Sequence, residues 1–218
     1  MKSERGPGGE VHVGDWLVTQ ERQLAMLRLF SSLQWLDLST RRVLEVGCGA
    51  GGNLLDLLRM GFAPRNLAGI EPSPERFANA MRSLPAGVML MQGDASLVQL
   101  PDESEDIVMA CGVFSSLLDA PFQWRLAQAL WRWVRPGGGV LWYDTTMDDA
   151  RDANVRAVPI ERIRELFPAG QLRYERITLN PPLARRVSAL HPVLYTGVNL
   201  VPWLRSHVLA WIAKPLPP

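Results

Sequence analysis

Five short apolar runs punctuate the first two thirds of the chain, at residues 43 to 47, 66 to 70, 88 to 91, 106 to 111 and 139 to 143. Runs of this length, bounded by Gly, Pro and polar residues, read as buried strands. The stretches between them carry helix signals. Ser73-Pro74-Glu75 offers a hydroxyl cap followed by proline at the first helical position. Residues 119 to 134 read as another helix, stopped by Arg135-Pro136-Gly137-Gly138-Gly139, a helix stop and reversal into the fifth strand. Upstream, Leu17, Met26, Leu27, Leu29, Phe30, Leu33, Trp35 and Leu36 predict a helix from Trp16, capped by Asp15 or Thr19. Strands alternating with helices imply right-handed crossovers and a mostly parallel sheet covered on both faces. Later the rhythm changes: residues 171 to 179 and 206 to 213 read as two more strands, separated by a Pro-broken apolar region. No internal repeat, low-complexity tract or linker interrupts the pattern. Residues 1 to 14, Gly-rich and polar, are expected to be flexible, and residues 15 to 218 to form a single α/β domain.

Composition narrows the function classes. The 47% hydrophobic and 21% charged content is that of a soluble globular chain, and a net charge of +1 offers no concentrated basic surface for nucleic acid. Cys48 and Cys111 lie in apolar segments without metal-ligand spacing, which fits a reducing compartment. No apolar core of a signal peptide opens the sequence and no run reaches the roughly 18 apolar residues of a membrane span, so a cytoplasmic location is expected.

Chemistry concentrates at the strand ends. In a parallel sheet, ligands bind beyond the carboxyl ends of the strands, where strand order reverses. The first run ends in Glu45-Val46-Gly47-Cys48-Gly49-Ala50-Gly51, the second in Glu71, the third in Gly93-Asp94-Ala95, the fourth in Cys111-Gly112 and the fifth in Asp144. Gly47, Gly49 and Gly52 also satisfy dinucleotide spacing, with Glu71 where a ribose-binding acid belongs, so an NAD-linked oxidoreductase is the competing reading. Charge separates the two. A pyrophosphate beside Glu45 would be repelled, whereas the ammonium and sulfonium of S-adenosylmethionine would be welcomed. Glu71 suits two ribose hydroxyls, and Asp94 beside the small Ala95 can accept from an adenine amine. Lysine occurs only at Lys2 and Lys214, which counts against the lysine-tyrosine chemistry of short-chain dehydrogenases.

The sequence from Glu45 to Gly51, the acid in GIEPSPE, QGDA at 92 to 95, LPDESEDIVMACGV at 100 to 113 and VRPGGG at 134 to 139, in that order, resembles the class I S-adenosylmethionine-dependent methyltransferases, especially the type 11 branch. The resemblance spans about residues 40 to 145. It implies a Rossmann-like, seven-stranded sheet with an antiparallel last strand. It also implies S-adenosyl-L-methionine as cofactor, held by Glu45, Gly47, Cys48, Gly49, Gly51, Glu71, Asp94, Ala95 and Cys111. Each has a blander use as well: the glycines as a tight turn, Glu45 as a cap for backbone amides, Glu71 as a solvated strand end, Asp94 as a turn former and Cys111 as packing. Residues 146 to 218 are only reminiscent of glycan-associated or uncharacterised bacterial methyltransferases.

Methyl transfer from a sulfonium needs alignment and exclusion of water more than it needs a metal. The fourth strand ends in Cys111 rather than an acid, and no Asp, Asp, Asn trio follows, so no metal is expected. For a hydroxyl acceptor the candidate bases are Asp144, His191 and His207, with a structural role the competing reading of each histidine. Residues 146 to 218 hold ten basic and six acidic groups, against 13 and 16 in residues 1 to 145, so the acceptor half is locally basic. Arg151, Arg156, Arg185 and Arg186 form a candidate fork for a phosphate or carboxylate. The run HPVLYTGVNLVPWL suits an acceptor pocket, a homodimer contact or a lipid tail. RNA is disfavoured, because Asn180-Pro181-Pro182-Leu183 follows the sixth strand rather than the fourth, where amino-methylating enzymes carry a similar motif. The expected activity is methyl transfer to a small molecule or sugar, at oxygen, with nitrogen open; a catalytically silent S-adenosylmethionine-binding protein is the third reading.

Overall fold

The computed structural model describes residues 12–148 and 154–217. Seven strands make one sheet: β1 Val43–Val46, β2 Leu67–Glu71, β3 Met89–Gln92, β4 Glu105–Cys111, β5 Val134–Thr145, β6 Gln171–Leu179 and β7 Arg205–Ala213. Seven α-helices accompany them: α1 Val13–Ser32, α2 Gly52–Arg59, α3 Pro74–Ser83, α4 Ala120–Trp133, α5 Ile160–Leu166, α6 Pro181–Leu190 and α7 Pro192–Asn199. The strand order is β3-β2-β1-β4-β5-β7-β6. The pairs from β3 to β5 are parallel, and β7 runs antiparallel to both of its neighbours. This is the seven-stranded sheet with an antiparallel last strand expected from the sequence.

Alternation along the strands splits the core. Leu44, Val46, Val108, Ala110, Val140 and Trp142 face α4 and α5, whereas Val43, Ile107, Met109, Leu141, Tyr143 and Trp211 pack with Met26 and Phe30 of α1 and with Leu54 and Leu57 of α2. Asp106, buried at the amino-terminal edge of β4, accepts from Arg41 Nη1 at 3.0 Å and the Arg42 amide at 2.9 Å, and pairs with Arg135. That one carboxylate ties the starts of β1, β4 and β5 together.

Local signals placed most element ends. The Ser73 hydroxyl accepts from the Arg76 amide and Asp119 accepts from the Phe122 amide at 2.9 Å, each with proline in the first turn. Four expectations need correction. Helix α1 starts at Val13, two residues before the boundary drawn at 15, and is capped by neither Asp15 nor Thr19. Thr19 instead donates its hydroxyl back to the Asp15 carbonyl at 3.0 Å, a bond made within a helix already under way. Leu36, assigned to the same stripe, lies beyond the helix and is exposed. The 134–139 stretch is already strand β5, with an irregularity opposite Glu105 and Ile107, and Gly137 pairs with the Lys214 carbonyl. The Pro-broken region between β6 and β7 folds as α6 and α7, because Pro181, Pro182 and Pro192 all stand in first turns, where a missing amide hydrogen costs nothing. The rest of the expected flexible N-terminus, residues 1 to 11, lies outside the described residues.

Candidate active site

Strand order reverses between β1 and β4, and the loops leaving these two strands abut there: a side chain at Gly47 would collide with Val113 Cγ2 at 2.9 Å. Gly49 at φ +58 and Gly112 at φ +65 occupy left-handed backbone with nothing within 4 Å of where a Cβ would stand. Bare backbone thus faces open space on both sides of the crevice. Gly51, at φ +85, is different: a Cβ there would strike Leu84 at 2.6 Å, so it serves helix packing at the start of α2.

The strand ends are wired to one another. Glu71 accepts the Gly49 amide on Oε2 at 2.8 Å and the Ser73 amide on Oε1 at 2.9 Å, bracing the glycine loop from β2. The Gly93 amide donates to the Glu71 carbonyl at 3.2 Å, and Asp94 accepts from the Ser96 amide at 2.8 Å, closing a turn that buries Ala95. The Gly112 amide donates to the Tyr143 carbonyl at 2.8 Å. Each carboxylate oxygen of Glu71 and Asp94 keeps lone-pair capacity for hydroxyls or an amine.

Glu45 is fully buried on the α1 and α2 side of the sheet. Oε1 accepts from Asn53 Nδ2 at 2.6 Å, while Oε2 has no hydrogen-bond partner among the described residues. Burial pushes its carboxyl up to about 7, partly offset by the Asn53 bond and the nearby Arg22 charge. A half-satisfied buried carboxylate is costly, and a cationic ligand would complete it. Cys48 points its sulfur over Gly69 of β2, where a Cβ would stand 2.7 Å from it. Burial raises the Cys48 thiol to about 12 and that of Cys111 still further, so both are inert packing groups whose backbone borders the loop.

The three candidate bases part company. Asp144 is buried, accepting the Ser115 amide on Oδ2 at 3.0 Å and the Thr145 amide on Oδ1 at 2.9 Å, which clamps the end of β5 to the loop after β4. Burial raises its pKa against those bonds. His191 is exposed and caps α7, its Nδ1 accepting from the Val193 amide at 3.2 Å. His207 stacks on Tyr143 with ring centroids 5.0 Å apart, and its Nδ1 lies 2.9 Å from Ser206 Oγ. Burial, with the Arg22 charge added, pushes its pKa down to about 4, so the ring is neutral at physiological pH. In the arginine fork, Arg185 already grips Asp15 with Nε at 3.0 Å and Nη2 at 3.3 Å, and Arg151 lies outside the described residues.

Two site residues escape the motif reading. Asn53 opens α2 and orients Glu45. Arg22 lies over the Tyr143 ring at 5.2 Å and acts electrostatically on Glu45, Cys111 and His207. Its signal was a charge on the otherwise apolar stripe of Val18, Ala25, Met26 and Leu29.

A methyltransferase-domain family model matches residues 43–138. A probable phthiotriol/phenolphthiotriol dimycocerosates methyltransferase of Mycobacterium ulcerans is 32% identical over 189 residues, covering 84% of this chain and 69% of that protein. A ubiquinone biosynthesis O-methyltransferase of Paracidovorax citrulli is 30% identical over 186 residues, covering 82% and 76%. A fatty-acid O-methyltransferase of Mycolicibacterium smegmatis is 36% identical over 110 residues, but the match covers 50% of this chain and only 38% of that enzyme. Among solved structures, a putative sarcosine dimethylglycine methyltransferase from Galdieria sulphuraria superposes with a TM-score of 0.64 at 13% identity, covering 92% of this chain and 87% of that one, a likeness of fold. These matches decide against the oxidoreductase reading of the glycine loop. The chain belongs to the class I S-adenosylmethionine-dependent methyltransferases.

Proposed function

We propose that the protein transfers the methyl group of S-adenosylmethionine to an oxygen of a small, largely apolar molecule. The observation that carries the oxygen assignment is the match to an O-methyltransferase along most of both chains. The matched proteins named for fatty-acid and phthiotriol substrates support an apolar acceptor. When bound, the cofactor supplies a methyl group already activated on a sulfonium. The chain's own work is to hold and orient. Glu45, steadied by Asn53, offers its unpaired oxygen to the ammonium end, and Glu71 its remaining lone pairs to the ribose hydroxyls. Asp94 accepts from the adenine amine beside the small Ala95. Gly47, Cys48, Gly49 and Cys111 contribute backbone, with Gly49 and Gly112 leaving room for close approach; Gly51 fixes the start of α2.

Of the three candidate bases, His207 is the one whose ring lies beside the end of β5, across from Thr145, with its Nδ1 on the Ser206 hydroxyl rather than on backbone. We assign it to accept the proton that a hydroxyl acceptor must lose, a carboxylate acceptor needing no base, with Asp144 as a clamp and His191 as a helix cap. Purified protein with methyl-labelled cofactor should label fatty acids or apolar alcohols and phenols in preference to sugars and amines. His207→Asn should lower kcat about 10²-fold or more while leaving cofactor binding unchanged. Label appearing only on amines would overturn the oxygen assignment and label only on sugars the apolar one; an unaltered kcat in the variant would return His207 to packing.

A further inference from the structure

The segment between β6 and β7 packs one side, with Ala184 and Tyr195 buried, and leaves several large apolar side chains outside. Leu190, Leu200 and Trp203 are 79%, 74% and 77% exposed, and Val193 and Leu194 are exposed with them. In α7 only Tyr195 is buried, and in α6 only Ala184 and Ser188. A soluble surface rarely presents five large apolar side chains within 14 residues of chain without a partner. The charges carried by the stretch itself have one sign, although Asp15 of α1 neutralises Arg185. From residue 176 to residue 218 the sequence holds Arg176, Arg185, Arg186, Arg205 and Lys214 and not one acid. Of these, Arg186 is exposed on α6 with no ion pair among the described residues. Arg205 spends its donors on the Asn199 and Arg176 carbonyls, which leaves its charge uncompensated.

We propose that α6, α7 and the turn carrying Trp203 form a docking face for an anionic lipid surface. Helices of 10 and 8 residues are too short to cross a bilayer, but they can lie in its interface with leucines down, tryptophan at the headgroup level and arginines among the phosphates. A second copy of the chain fits less well. A two-fold contact sets a patch against itself, and this stretch would bring arginines together with no acid of its own to oppose them. The face also lies at the cofactor end of the molecule: Thr146 donates to the Ser206 carbonyl at 2.8 Å, so the start of β7 adjoins the carboxyl end of β5. The proposal does not rest on the acceptor reading above, since its test contains no acceptor.

The test is co-sedimentation of the full chain with vesicles of phosphatidylcholine, alone or with phosphatidylglycerol. We expect strong binding only to the anionic vesicles, falling steeply between about 0.1 and 1 M salt as the screening length drops from about 10 to 3 Å. Arg186→Gln should weaken it about fivefold. Leu200→Ser with Trp203→Ser should weaken it about tenfold or more, with S-adenosylhomocysteine binding retained as the measure of intact folding. Should that double variant fail to fold, Val193→Ser on α7 carries the same expectation on a smaller scale. Absence of binding to the anionic vesicles, equal binding to both compositions, or binding indifferent to these substitutions would overturn the proposal. So would a concentration-dependent dimer in sedimentation velocity that Trp203→Ser dissociates, which would assign the face to a second copy.

Discussion

Glu45 shows how a single side chain can be at odds with its fold and suited to its ligand. Its pKa, raised from 4.5 to about 7 by burial, means that the folded ligand-free protein holds a proton there that the unfolded chain releases. The native state is therefore progressively disfavoured as pH rises from about 4.5 through 7, and above that the full cost of the buried charge is present. Glu45→Gln removes the charge and keeps an acceptor for Asn53. It should stabilise the ligand-free protein at pH 8 by about 1–3 kcal/mol, raising Tm by about 3–8 °C. The same change should weaken S-adenosylmethionine binding about tenfold or more, since the ammonium loses its carboxylate. Binding by the unaltered protein near pH 7 should release protons, because a cation beside Glu45 favours its ionised form. Scanning calorimetry at pH 8 and titration calorimetry in two buffers of different ionisation heat check these outcomes; a lower Tm together with unchanged affinity would assign Glu45 to scaffolding alone.

At the scale of elements, α1 is the strap that closes the structure. Its first turn approaches α6 so closely that a Cβ at Gly14 would meet Ser188 Oγ at 2.8 Å, and Asp15 grips Arg185 from the same turn. About two turns further, Glu21 accepts from the Thr178 amide at 3.0 Å, the Asn199 amide group at 2.8 Å and the Tyr195 hydroxyl, joining α1 to β6 and α7. Thr178 sits at φ +67, an unfavourable region for a β-branched residue. It is held there by Glu21 on its amide and by Tyr143, whose hydroxyl lies 2.8 Å from its own. Tyr143 in turn stacks on His207. Removing the carboxylate should loosen the strap before it loosens the sheet. Glu21→Ala is expected to cost about 2–3 kcal/mol and to raise hydrogen exchange in α1 and α7 while β1, β4 and β5 stay protected. Uniform loss of protection would instead make the strap and the sheet one cooperative unit.

For the whole molecule, rigidity and chemistry occupy opposite ends of the sheet. The amino-terminal edge is pinned by Asp106 and its arginines, the middle by large buried groups such as Trp133, Trp142, Phe30 and Phe114 on the two faces. The carboxyl-terminal edge holds left-handed Gly47, Gly49, Gly51 and Gly112, the orphaned carboxylate oxygen and the strained threonine. Asp106→Asn, at the far end from the cofactor loops, should therefore lower stability by about 2–3 kcal/mol, a Tm loss of about 5–10 °C. Affinity for S-adenosylhomocysteine should be unchanged below that lowered transition; a matching loss of affinity would show that the two ends are coupled.

Local patterning along the chain specifies the strands, the alternation that buries both faces of the sheet between its edge strands β3 and β6, the caps at Ser73 and Asp119, and the string of chemical groups at the strand ends. These depend on neighbours within about ten residues, where periodicity, glycine and proline act directly. How those groups are used depends on partners that the folded topology brings from far along the chain. Asp144 is spent on Ser115, 29 residues away; Arg185 is spent on Asp15, 170 away; Glu21 reaches Thr178 across 157; and Arg22 stands beside Glu45 because α1 crosses the sheet. The apolar stretch from 191 to 204 carries core-like composition, yet the fold buries Tyr195 and leaves Val193, Leu194, Leu200 and Trp203 outside, because α1 and the inner half of α6 already fill the space over β6. Hydrogen-bond capacity and burial are set by partners that only the completed topology brings together, and no local pattern encodes them.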